Sequence, residues 1–271
     1  MLNTLFPENP QGHLASRLNT LAAMISGIVG SRSVSLPAIA SKVPGGPSDQ
    51  DAKVESRVKR FERWLRNKAV ESEIFFIPFA EALLLSLCHG HLVLAMKGSI
   101  VGRGCMTLMV SVVYKQRALP VAWIVAKTGK GHFPETVHLE LMRKVQGLVP
   151  VGARVVVLGD GEFDGVDLQA LVRESGCEYV LRTSKTSTLT WQGEEFRFTD
   201  VMDHVAPGDV FEVPSVDCTS GSMPCDMAGT RSSIALTGAT SASFNLVCGC
   251  SNISSTKNYL FPWRSHHMER R

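Results

Sequence analysis

The chain is poor in what disulfide frameworks, structural zinc sites and membrane spans require. Its seven cysteines form no CxxC pair and keep no regular spacing, which argues against a disulfide scaffold and against the close ligand spacing of a zinc module. Cys88, Cys105 and Cys177 sit among apolar neighbours and are expected as buried thiols, while Cys218, Cys225, Cys248 and Cys250 crowd into the last quarter. Long hydrophobic runs are absent too. The longest, Ile74 to Leu87, is too short for a bilayer and is interrupted by Pro78 and Glu81. The opening residues lack the charged start and continuous apolar stretch of a secretory signal. A soluble, cytoplasmic chain with no membrane partner is the expectation.

Hydrophobic residues at 44% against 20% charged are enough to build a packed core over most of the length, which excludes wholesale disorder. Three textures divide the chain. Residues 1–87 read as helical. Leu14, Leu18, Leu21, Ile25 and Ile28 step by four and three along one helix face, and Gly30 punctuates. Ser35 and Pro37 open a second short helix carrying Leu36, Ile39 and Ala40, and Pro44 to Pro47 form a loop. A third helix has Val54, Val58, Phe61 and Leu65 on its apolar side. From Asp51 to Val70 there are seven Lys or Arg against three acids. That charge fits a solvated face, and it equally fits contact with DNA phosphates, where each cation displaces condensed counterions. Short helices ahead of a basic one suit a helix-turn-helix-like module. The candidate phosphate contacts are Arg57, Lys59, Arg60, Arg63 and Arg66.

Residues 91–214 alternate strands with helices. His91–Met96, Met106–Tyr114 and Ala118–Val125 read as an antiparallel meander, turned at Gly98–Gly104 and at Lys115-Gln116-Arg117. Pro134 starts a helix with Val137, Leu141 and Val145 on one face. Val155–Leu158 is a short apolar strand of the buried parallel kind. Asp164 is expected to cap the next helix, which stops at Gly176, and Tyr179–Arg182 is a fifth strand. Three antiparallel strands, helix, strand, helix, strand is a ribonuclease-H-like order. Weaker strand signals come next at Thr188–Trp191, Glu195–Phe198 and Asp209–Val213. From Ser215 the texture changes to Ser, Thr, Gly, Cys and Met with no sustained period, so 215–271 is expected to be a disordered or frame-shifted tail.

Chemistry concentrates at Gly159-Asp160-Gly161-Glu162-Phe163-Asp164-Gly165. An acid directly after a buried strand projects a carboxylate at the sheet edge, although Asp160 also suits a plain turn. Asp160, Glu162 and Asp164 alternate as in a calcium loop, but a strand precedes them and Leu171 stands where the bidentate Glu belongs.

These segments together resemble the transposase domain of the IS4-type DDE transposases over residues 91–198. The resemblance is carried by His91–Met96, Gly98-Ser99-Ile100-Val101-Gly102-Arg103-Gly104, Lys115–Trp123, the Gly159–Gly165 run and Tyr179-Val180-Leu181-Arg182-Thr183. Ser56–Leu65 is similar to the DNA-binding region of that group. The resemblance implies a ribonuclease-H-like mixed sheet preceded by a small helical DNA-binding domain, with double-stranded transposon-end DNA as partner. A homodimer stays open as one assembly. It also implies three carboxylates holding two divalent cations, Mg²⁺ or Mn²⁺, about 3.5–4 Å apart. In such enzymes the first acid ends the first strand, the second ends the fourth, and a glutamate on a late helix is the third. Asp160 matches the second acid and is the implied metal ligand. Lys97 stands in place of the first.

No third acid is found. Glu212 precedes a Pro-Ser break and Glu269 lies close to the C-terminal end, and neither sits in the family's Tyr-x-x-Arg-x-x-x-Glu helix. A reading frame that slipped near Ser215 is the hypothesis that explains this. Codons for Ser254–Asn258 can, two nucleotides on, encode Phe-Asp-Gln-Lys, similar to the residues that come after the family's glutamate. The expectation is an inactive copy that does not cut DNA, with Lys97 paired to Asp160. The rivals are a DNA-binding remnant or domesticated DNA-binding protein, and a metal-dependent nuclease of another kind.

Overall fold

The computed structural model describes residues 5–6, 10–44, 53–128 and 133–182, and strand segments at 188–191, 194–197, 210–214, 217–219, 232–240 and 243–250. The chain divides into two units, Met1–Leu83 and Leu84–Arg271.

The first unit is built from α1 (Gly12–Ser31), α2 (Leu36–Ser41), α3 (Val54–Leu65) and α4 (Ser72–Phe75), and the division falls within α5 (Ile77–Leu87). Its core is Met24, Ile39, Ala40, Val43 and Phe61, with Val58 and Trp64 packed against them. The face that α1 buries is not the one its aliphatic spacing suggests. Leu18, Thr20, Met24 and Gly27 face inward, whereas Ile25 and Ile28 are 50% and 40% exposed. Gly27 decides the rotation. A Cβ there would lie 2.7 Å from Ile39 Cγ2, so only a bare backbone lets α2 come this close. Thr20 tolerates burial because its hydroxyl donates to the Ser16 carbonyl at 2.9 Å. Nor does Gly30 end the helix; it ends at Arg32, whose φ is 51°. Ser35 is the residue ahead of α2 and Pro37 lies in its first turn, as the sequence suggests. The expected loop residues Gly45–Pro47 lie outside the described residues.

The apolar run Ile74–Leu87 becomes α4 and α5, with Pro78 in the first turn of α5, where a missing N–H costs nothing. No helix among the described residues is long and apolar enough to cross a membrane.

The second unit is mixed α/β. Strands β1 (His91–Gly102), β2 (Cys105–Tyr114), β3 (Arg117–Lys127), β4 (Arg154–Gly159) and β5 (Glu178–Arg182) form a five-strand mixed sheet in the order 3-2-1-4-5. β1, β2 and β3 are antiparallel neighbours, while β4 runs parallel to both β1 and β5. Two helices, α6 (Glu135–Gln146) and α7 (Val166–Glu174), make the crossovers into β4 and β5. Val155, Val156 and Val157 are all buried, as expected of a strand covered on both faces.

The first hairpin departs from the sequence reading. β1 continues through Ile100 and Val101 to Gly102 instead of turning at Gly98. The turn is the pair Arg103 and Gly104, at φ 52° and 71°, closed by the pairing of Gly102 with Cys105. Two residues at positive φ match the twist of antiparallel strands, and the β-branched pair before them favours extension. The β2–β3 hairpin uses the same device at Lys115 and Gln116, φ 45° and 63°.

After β5 come β6 (Thr188–Trp191), β7 (Glu194–Arg197) and β8 (Val210–Pro214), within a residue or so of the weak strand signals. β9 (Asp217–Thr219) pairs with β6 to complete a three-stranded sheet in the order 7-6-9. β10 (Ser232–Thr240) and β11 (Ser243–Cys250) extend the main sheet beyond β5 in the order 5-11-10-8. These last three strands fall inside 215–271, the stretch whose texture suggests a disordered or frame-shifted tail. Ser215, Ser254–Asn258 and Glu269 lie outside the described residues.

Candidate functional site

The parallel register of β1 and β4 determines what can meet at the C-terminal end of the sheet. His91 is opposite Arg154 and Ala95 is opposite Leu158. Continuing that offset places Lys97 opposite Asp160, the first residue after β4. Lys97 Nζ does reach Asp160 Oδ2, at 3.5 Å. Lys97 lies in mid-strand, not at a strand end, because β1 runs on into its hairpin. On its other side the row continues through Met109 of β2 to Trp123 of β3.

Asp160 is held by its own turn. Its Oδ1 accepts the Glu162 N–H at 3.2 Å, and its carbonyl accepts the Phe163 N–H at 3.0 Å. Gly159 precedes it because no side chain fits there: a Cβ would lie 2.8 Å from Leu181 Cδ2 and 3.0 Å from Phe163 Cβ. Glu162 is the acid that sequence reasoning left unused. Its Oε2 lies 3.1 Å from where a Gly98 Cβ would be, so the glycine after Lys97 makes room for this carboxylate.

Asp164 does not occupy the N-cap position of α7. The residue before the helix is Gly165, which has no side chain to cap with. The carboxylate of Glu135, in the first turn of α6, sits over Gly165 and accepts the Leu168 N–H at 3.0 Å. Any side chain at position 165 would collide with it. The Asp164 backbone carbonyl accepts the Gln169 side-chain N–H at 2.9 Å. At its other end α7 closes as the sequence suggests. Gly176, φ 71°, donates to Arg173 at 2.8 Å and Cys177 donates to Val172 at 3.1 Å, a Schellman closure.

Behind the turn lies His138, which the face expected from Val137, Leu141 and Val145 omits. It is buried, packs edge-on against Phe163 at 5.0 Å, and its Nε2 has no hydrogen-bond partner among the described residues. Burial holds its imidazole below the ordinary pKa. The thiols Cys88, Cys105 and Cys177 are free and half-buried rather than fully buried, and burial pushes Cys177 up.

Among the described residues, the Lys97–Asp160 pair does not fit a divalent cation. Asp160 turns one carboxylate oxygen to an ammonium and the other to a backbone N–H. Lys97 has no lone pair to offer while protonated and repels an approaching cation. Glu212 is in β8, opposite Ala235 of β10, not on a helix. Among the described residues no group of three or more His, Cys, Asp or Glu could hold a metal ion.

The five basic candidates, four in α3 and Arg66 directly after it, are placed differently from one another. Lys59, Arg63 and Arg66 are exposed, whereas Arg57 and Arg60 are half-buried. Arg57 Nη1 donates to the Ala40 carbonyl at 3.3 Å, and the Arg60 guanidinium lies over the Phe61 ring at 5.6 Å.

A scan against protein-family models finds no match, and no curated protein matches the chain.

Proposed function

We propose that this chain is a DNA transposition protein of the IS4 type, descended from a ribonuclease-H-like DDE transposase, that binds transposon-end DNA and does not cut it. The family reaction joins metal-dependent phosphodiester cleavage to strand transfer. The observation that carries the reading is the contact of Lys97 with Asp160 on a sheet of order 3-2-1-4-5. It sets Lys97 of β1, which the resemblance aligns with the first carboxylate, against the acid after β4, which it aligns with the second. It also fills the first of these positions with a cation. An ammonium cannot help hold Mg²⁺ or Mn²⁺, and it leaves no group to activate the attacking oxygen. The same substitution favours a retained binding role, as in a remnant or a domesticated DNA-binding protein, over a metal-dependent nuclease of another kind.

Fluorescence anisotropy with duplex DNA carrying the transposon's inverted repeat, in EDTA, tests the binding half. Metal-independent, salt-sensitive binding is expected. Failure to bind any duplex at low salt overturns the reading.

A further inference from the structure

We infer that α3 divides its cations by face: Lys59, Arg63 and Arg66 form a stripe that grips a nucleic-acid phosphate backbone, while Arg57 and Arg60 hold the helical unit together. The inference rests on the DNA-binding reading above and specifies its surface. Positions 59, 63 and 66 step by four and three, so their side chains line one side of the helix over about 10 Å of its length. All three are exposed.

Arg57 and Arg60 point elsewhere. The Nε atoms of both are buried. Arg57 donates to the Ala40 carbonyl in the last turn of α2, where a helix leaves carbonyls without an intrahelical backbone N–H. Arg60 lies over Phe61, which is fully buried in the core.

The opposite face decides the kind of partner. A basic helix that lies on a membrane needs an exposed apolar side to insert. Here the middle of that side is spent. Phe61, Val58 and Trp64 belong to the core of the unit, and the Trp64 indole donates to the Arg17 carbonyl at 3.0 Å. Only Val54 and Leu65, at the two ends of that side, stay exposed; a cationic stripe whose apolar side is packed through its middle suits a polyanion and not a bilayer. Glu55 and Glu62 border the stripe, so affinity must come from direct phosphate contacts, and it falls steeply with salt.

The test uses the full chain, an inverted-repeat duplex and a salt series. Replacing Lys59, Arg63 and Arg66 by Ala should lower the slope of log affinity on log salt by roughly 2.7, about 0.9 for each cation, with melting temperature near that of the parent. The pair Arg57→Met and Arg60→Met, which keeps the side-chain stems and removes the charge, should lower the melting temperature and leave the slope unchanged. A triple variant with the parental slope, or a Met pair that flattens it, overturns the division while leaving DNA binding in place. Binding to vesicles of anionic lipid, with none to duplex, overturns both the division and the reading on which it rests.

Discussion

Glu135 and Leu168, on different helices, share the cap of α7: the Glu135 carboxylate accepts the Leu168 N–H at 3.0 Å, directly above Gly165. A cap supplied from another helix ties α6 and α7 together as well as satisfying an orphan donor. Glu135→Ala should therefore destabilise the second unit by about 1 kcal/mol, within the usual range for a lost cap. Asp164→Ala, at the expected capping position, should cost less. Urea denaturation of both variants checks this, and a larger loss for Asp164→Ala would contradict it.

Gly27 is the point where α1 meets α2. An exposed helix-interior glycine gains about 0.5–1 kcal/mol on replacement by alanine. At position 27 the new methyl would lie 2.7 Å from Ile39 Cγ2 and 2.5 Å from the Ile39 carbonyl oxygen, and a backbone carbonyl cannot step aside cheaply. Gly27→Ala should therefore reverse the sign and destabilise the helical unit by roughly 1–3 kcal/mol, the cost of overpacking. A melting temperature at or above that of the parent would show that the two helices separate freely.

How much of this is legible in the sequence depends on how far apart the partners lie. The succession of strands and helices along 91–182 is legible because β-branched runs such as Val155–Val157 and the polar turn at Lys115 and Gln116 are local signals. The meeting of Lys97 with Asp160 is legible once β1 and β4 are taken as parallel neighbours. The extent of β1 is not legible, since Gly98, Gly102 and Gly104 all look like turn residues and only the pairing with β2 picks out Arg103 and Gly104. The cap on α7 is hidden because Glu135 comes from another helix, whereas Asp164 is adjacent. The rotation of α1 is hidden for a related reason: it answers to Ile39 on α2, and aliphatic spacing within one helix carries no information about a glycine contact.

His138 makes the second unit sensitive to acid. Its native pKa is held below the ordinary 6.5 by burial, so between those two values the unfolded chain binds a proton that the native one does not. Stability is then highest above pH 6.5, declines as the pH falls through that value, and levels off below the lowered native pKa. His138→Leu should remove this part of the pH dependence. Denaturation midpoints measured from neutral to mildly acidic pH test it, and an unchanged profile in the variant would assign the acid sensitivity to other groups.

The central claim is that the chain binds DNA without cutting it. The most direct measurement is a nicking assay on inverted-repeat DNA with Mg²⁺ or Mn²⁺, comparing the chain as it stands with Lys97→Asp and Asp160→Ala. The account predicts no nicking by any of the three. Lys97→Asp removes the ammonium that faces Asp160, but it restores only the first carboxylate and supplies no third. Cleavage by the unaltered chain that requires both the metal ion and Asp160 would contradict the account.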